Sequence, residues 1–313
     1  MNVALSYGNP ADYMADGPCM GKTPGRYANR IAHGDLCIDG RRYKLAVNCG
    51  PNHLHGGPTG FQNHLWEVEL LTNGVRFSLH SPDGDENYPG ALDAAVEYRW
   101  SDENELSILL EASADAPTVV NLTNHTYWNL DGADSGCALD QTLQMHASRW
   151  LPTDDSLVPT GEMAPVAGTP MDFTRPKRVG QDIKVDFPAL RYGKGYDNCW
   201  VLDREVETTV ESDGARVSRE KAMVRDAVIL SAARSGRKLH VDTDQPGVQV
   251  YSGNWLSGSP LNVSGRAYED YDGVAIEAQG LPDAPNRPEF PSQRLEPGHP
   301  WRRTIIYRFR TRP

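Results

Sequence analysis

The chain is 313 residues long with 39% hydrophobic and 23% charged residues, too apolar for a disordered polymer and long enough to bury a sizeable core. Its formal charge of −11 and pI near 5.3 exclude a broad basic face for nucleic acid or anionic membrane, and favour a neutral or weakly charged small molecule as partner. No run approaches the ~18 apolar residues of a membrane span, and the start "MNVALSYGNPADYMADG" lacks the basic-then-apolar order of a secretory leader.

Cys19, Cys37, Cys49, Cys137 and Cys199 are odd in number and form no CxxC pair, which reads as reduced thiols in a cytoplasmic protein. Under that reading the sequons at Asn121, Asn124 and Asn262 carry no glycan. Oligomeric state stays open between monomer and homodimer.

Glycine and proline fall between short alternating apolar runs, the rhythm of an antiparallel β protein. In chain order the predicted strands are "HLWEVELLT", "GVRFSLHS", "AAVEYRW", "ELSILLEAS", "PTVVNLTNHTYWNL", "DQTLQMHAS", "RKLHVDTD", "GVQVYSGN", "GVAIEAQG" and "WRRTIIYRFR". The best helical candidate, "REKAMVRDAVIL", is short. The charged mixture from Glu205 to Arg225 reads as a solvated hairpin or surface insertion. The expected fold is all-β, one domain over residues 1–313 built as a large antiparallel β-sandwich.

Chemistry-bearing residues follow in the same order. "GRYANRI" groups Arg26, Asn29 and Arg30, whose forks and amide suit carboxylates or paired hydroxyls. "PNHLHGGPTGFQNHLW" holds His53, His55 and His64; a metal site is the weaker reading, because the pair sits in turn-like sequence with no carboxylate at ligand spacing. A loop histidine donating a hydrogen bond is favoured.

In "NLTNHTYWNL" the two-residue alternation of a strand puts Val120, Leu122, Asn124, Thr126, Trp128 and Leu130 on one face. Asn121, Thr123, His125, Tyr127 and Asn129 share the other, a polar row suited to a sugar-binding floor. Histidine also moves protons near neutrality. In "GVAIEAQGL", Glu277 and Gln279 alternate with Val274, Ile276 and Ala278; a partly desolvated carboxylate there makes a better base, and a structural ion pair is the competing reading. Asp197 in "GYDNCW" and Gln249 in "GVQVYSGN" carry weight only as parts of a larger pattern.

That pattern exists. Taken in order, "GKTPGRYANRIAHG", "NHLHGG", Gly60, Phe61 and Trp66, "NLTNHTYWNL", "PTGEMAPVAGTPMDF", "YDNCWVL", "PGVQVYSGNWL" and "IEAQGLPDAPNRPEFPS" resemble the aldose 1-epimerase family, the galactose mutarotases. The resemblance runs from about Asp12 to the C-terminus. It implies a galactose mutarotase-like supersandwich with a sugar cleft across one sheet, and interconversion of the α and β anomers of an aldohexose without metal or organic cofactor. It implies His125 as general acid and Glu277 as general base, with Asn29, Arg30, His55, Tyr127, Asp197 and Gln249 at substrate-contacting positions.

Two departures qualify the expectation. The family places several strands ahead of the "GRYANRI" segment, so the sandwich is expected to lack edge strands that precede "NVALSYGNPADY". Ala278 stands where the family usually has threonine, which would loosen a contact behind the base. Two alternatives accompany the mutarotase reading. One is a catalytically impaired sugar-binding protein on the same fold; the other is a glycoside hydrolase or lyase using Glu277 and Asp197, since hydrolysis calls for two carboxylates about 5–9.5 Å apart.

Overall fold

The computed structural model describes residues 1–210, 216–220 and 222–311. Among these, two antiparallel sheets dominate. The nine-stranded sheet runs Lys177–Arg178, Thr142–Met145, Val224–Ser231, Arg237–Thr243, Trp301–Thr311, Glu105–Ala114, Leu92–Trp100, Gly74–Ser81 and Glu67–Leu71. The six-stranded sheet runs Tyr127–Trp128, Val274–Gln279, Gly247–Tyr251, Asp197–Val201, Arg149–Trp150 and Ala164–Pro165.

Alternation decides how the sheets meet. Val96, Ile108, Leu110, Leu239, Val241 and Ile305 of the larger sheet share one buried cluster with Trp200, Val248, Val250, Val274, Ile276 and Ala278 of the smaller. Each of these is flanked in its strand by residues of the opposite face, so the core lies between two sheets packed face to face. The other face of the six-stranded sheet therefore receives Asp197, Gln249 and Glu277, and it is covered by loops. Arg30–Ile31 pairs there with His53–Leu54, tying "GRYANRI" to "NHLHGG".

Several local expectations change. "REKAMVRDAVIL" contributes a strand, Val224–Ser231, because pairing with Arg237–Thr243 and Thr142–Met145 buries Val228 and Leu230 in the core. The long predicted strand around His125 pairs as a ladder only at Thr118–Val119 and Tyr127–Trp128. Between them the chain stays alternating, with Val120 and Leu122 in the core, but its amides go to neighbouring loops. The backbone of the Glu205–Arg225 segment forms the hairpin Val206–Val210 with Arg216–Glu220; the reading of 211–215 and 221 lies outside the described residues. No helix among the described residues is long and apolar enough to cross a membrane.

Candidate active site

Register builds the site. In an antiparallel pair, directly opposed residues share a face. Tyr127 opposes Ala275, and Gln249 opposes Glu277 on one side and Cys199 on the other. Continuing the first register two residues beyond the end of the ladder sets His125 across from Glu277. Their side chains meet there, with His125 Nε2 3.5 Å from Glu277 Oε1. Both are buried, at 5% and 2% exposure, on the floor of a cleft of about 830 Å³.

Around this pair the cleft is lined by Asn29, Arg30, His55, Tyr127 and Asp197, which lie far apart in sequence. Asn29 has a left-handed backbone (φ 64°), a conformation asparagine tolerates, and its Oδ1 accepts the Arg30 N–H at 2.8 Å. Its own N–H donates to His55 Nδ1 at 3.1 Å. That contact fixes the tautomer: a neutral His55 with Nδ1 accepting must carry its proton on Nε2. Gly56 then turns the chain at φ 81°, where a Cβ would lie 1.7 Å from the Gly25 carbonyl oxygen. Only glycine admits so close a backbone approach.

Asp197 receives Gln249 Nε2–H on Oδ1 at 2.7 Å, and Oδ2 lies 3.7 Å from an Arg30 nitrogen. Gln249 thus reaches the cleft through Asp197 and is absent from the lining itself. Tyr127 faces the cleft, but its hydroxyl is committed to the Pro18 carbonyl at 2.9 Å. The rest of the polar row serves the backbone: Asn121 bonds Ala28 O and the Gly280 N–H, Thr123 bonds Ala278 O, and Asn129 bonds Asp272 O. The sugar-floor reading of that row therefore narrows to His125 and Tyr127. Ala278 is corrected as well, because its side chain lies in the intersheet core and its carbonyl, which any residue would supply, holds Thr123.

The remaining candidates separate. Arg26 is buried away from the cleft, donating to Ser81 and to the carbonyls of Pro89, Gly90 and Pro82. His53 bonds Tyr88 and Ala46 O, while His64 bonds Thr59 O, so the three histidines do not converge. No group of His, Cys, Asp or Glu among the described residues is arranged to hold a metal.

Burial governs the site's protonation. It pushes the Glu277 carboxyl up, with Asp197 adding to the effect and Arg30 opposing it. It pushes the His125 imidazole down to about 4, against the upward pull of Asp197 and Asp16. His55 is also pushed well down by burial, and by His125 and Arg30, which keeps it a neutral donor. Burial thus disfavours the charged form of both His125 and Glu277. His125 Nδ1 and Glu277 Oε2 have no protein partner. Buried polar atoms of this kind are costly unless a ligand or water meets them.

Sequence reasoning passed over three parts of the wall: Asp16 to Cys19, Ser257 to Pro260, and the aromatic pair Tyr251 and Trp255. The last two rings stack at 6.4 Å with 19° between planes, and Trp255 is 50% exposed at the cleft mouth. Two aromatics four residues apart in "YSGNW" were the available signal.

Comparison with known proteins agrees with this architecture. The aldose 1-epimerase family profile matches residues 1–308. Galactose mutarotase from Homo sapiens is 40% identical over 308 residues, covering 98% of this chain and 84% of its own length. Aldose 1-epimerase from Escherichia coli K12 is 37% identical over 308 residues, covering 97% and 84%. Among solved structures, an aldose epimerase homologue from C. elegans superposes with a TM-score of 0.86 at 30% identity, covering 100% of this chain and 89% of that one. Galactose 1-epimerase from Lactobacillus acidophilus superposes at 0.82 and 31%, covering 99% and 85%. With the family profile, 40% identity over 98% of the chain and the fold in agreement, the chain belongs to the aldose 1-epimerase family.

Proposed function

We propose that this aldose 1-epimerase interconverts the α and β anomers of an aldohexose, galactose or glucose, with His125 as general acid and Glu277 as general base. Anomers differ only at C1, so the ring must open to the aldehyde, rotate about C1–C2 and close on the other face. Opening needs a base at the C1 hydroxyl and an acid at the ring oxygen. Both oxygens are bonded to C1, so the two groups must converge on a space a few ångströms wide. The 3.5 Å approach of His125 and Glu277 inside a buried, open cleft is the observation that carries the reading.

In the working form one proton shared by the pair sits on His125 and leaves Glu277 as carboxylate. Asp197 and Asp16 favour the cation at the imidazole, and Arg30 favours the anion at Glu277. Glu277 takes the O1 proton as His125 protonates the ring oxygen, and closure returns both. Since opening leaves the pair's total proton count unchanged, bulk solvent need not take part. His55 Nε2–H and Arg30 brace the ring-oxygen side, Asn29 joins them, and Asp197, held by Gln249, accepts hydrogen bonds from ring hydroxyls.

Each positioned acid or base contributes on the order of 10²- to 10⁴-fold. Polarimetry of freshly dissolved α-galactose or α-glucose should show faster loss of optical rotation with the protein present. His125→Asn and Glu277→Gln should each remove most of that acceleration. Undiminished turnover in the double variant overturns the assignment; binding by calorimetry with no acceleration in the native chain favours the binding-protein alternative. The cytoplasmic reading belongs to the same proposal and is supported by five free thiols, of which Cys19 and Cys199 are buried.

A further inference from the structure

Residues Asp16 to Lys22 form a thin wall. On one side, Asp16 to Cys19 face the cleft; on the other, Gly21, Lys22 and the adjoining Thr23 face a second cavity of about 610 Å³. Met20 anchors the middle of the loop in an apolar cluster with Leu5, Tyr7 and Tyr127, while two of the residues beside it, Cys19 and Gly21, are in the left-handed region at φ 59° and 69°. Polar ties close the loop around that anchor.

The ties centre on Asp16, whose side chain is fully buried. Its Oδ2 accepts the Met20 N–H at 2.6 Å and the Tyr7 hydroxyl at 3.4 Å, and its Oδ1 pairs with the Lys22 ammonium. Lys22 Nζ also donates to the Tyr13 carbonyl. The closed loop then grips one residue from both sides: Gly21 N–H donates to His125 O at 3.0 Å, and His125 N–H donates to Lys22 O at 2.9 Å. Here the ladder to the Glu277 strand has already ended, so this grip replaces strand pairing for the His125 backbone.

We propose that Asp16 and Lys22 are a positioning pair for His125, closing the loop that holds its backbone and setting a buried carboxylate behind the cleft wall on that side of its ring. This rests on His125 being the acid. The ring faces Glu277 and Asp197 from neighbouring strands, Arg30 paired to Asp197, and the rings of His55 at 5.4 Å and Tyr127 at 5.0 Å. Asp16 adds a negative charge from the loop side, which favours the imidazolium that ring opening requires.

The test compares Asp16→Asn, Asp16→Glu and Lys22→Met in the full chain, by polarimetry with α-galactose and by NMR titration of the His125 ring proton, identified by its loss in His125→Asn. Asp16→Asn should lower kcat roughly 10- to 100-fold with KM nearly unchanged, and move the His125 titration to lower pH. Asp16→Glu should recover most of the rate. Lys22→Met should lower kcat without moving the titration to lower pH, because it removes a tie and leaves the carboxylate. An unmoved titration in Asp16→Asn, a loss confined to KM, or no recovery by glutamate overturns the proposal. If Asp16→Asn does not fold, native kcat in Lys22→Met overturns it instead. Failure of the acid assignment is separately visible as full turnover in His125→Asn.

Discussion

Burial acts on the two proton carriers in opposite directions, and the consequences for stability can be signed. Glu277 has a folded pKa raised above its unfolded value of ~4.3. Between these values the folded state holds a proton that the unfolded state has released, so stability falls with rising pH. Its contribution is full below ~4.3 and drains as pH climbs toward the folded value. Glu277→Gln carries no such proton; its melting temperature relative to the native chain should rise from pH 5 to pH 8, measured by scanning calorimetry. His125 has the opposite sign. Its folded value of about 4 lies below the ordinary ~6.5, so its contribution is present above ~6.5 and lost as pH falls toward 4. His125→Asn should flatten the native chain's loss of stability across that acidic window. At this scale the sequence was informative about identity but not about commitment: nothing in "NLTNHTYWNL" distinguishes Asn121 and Thr123, spent on backbone groups, from His125, which opens on the cleft.

Strands and turns convert these residues into a site. Period-two alternation was legible, and it put Glu277 and Gln279 opposite Val274, Ile276 and Ala278 before any fold was known. What alternation does not contain is register, which strand pairing sets between segments far apart in sequence. The meeting of His125 and Glu277 depends on Tyr127 facing Ala275, a fact of the ladder alone. Pairing also overrode local propensity in "REKAMVRDAVIL", where burial of Val228 and Leu230 against neighbouring strands outweighs any helical pattern. Turns are equally exacting. Gly56→Ala should destabilise by roughly 2–4 kcal/mol in denaturant titrations, from a disfavoured φ plus a collision with the Gly25 carbonyl. Gly40→Ala, at φ 78° with open space around it, should cost only about 1 kcal/mol. Equal losses would show that conformation, not the close approach of Gly25 to Gly56, dominates at that junction.

On the scale of the whole molecule, the edges of the two sheets need protection from pairing with other chains. One edge of the larger sheet is the two-residue strand Lys177–Arg178, short and charged; the other, Glu67–Leu71, exposes Val68 and Leu70 beside Glu67 and Glu69. The smaller sheet's edge at Tyr127–Trp128 is covered by the N-terminal segment. Leu5 N–H donates to Tyr127 O at 2.9 Å, Asn129 N–H donates to Val3 O at 2.9 Å, and Ala4 bridges Trp128. Deleting residues 2–5 should lower the melting temperature by several degrees and promote concentration-dependent association, visible in calorimetry and light scattering. A deletion that leaves both unchanged would show that this edge needs no cover. The aromatic pair at the cleft mouth has an optical consequence. Trp255, half exposed and stacked on Tyr251, is the tryptophan that lines the cleft, whereas Trp128, Trp150, Trp200 and Trp301 are buried. Under the proposed function, a sugar entering the cleft should alter the surroundings of that indole and change its emission in a fluorescence titration with galactose, and Trp255→Phe should silence that change.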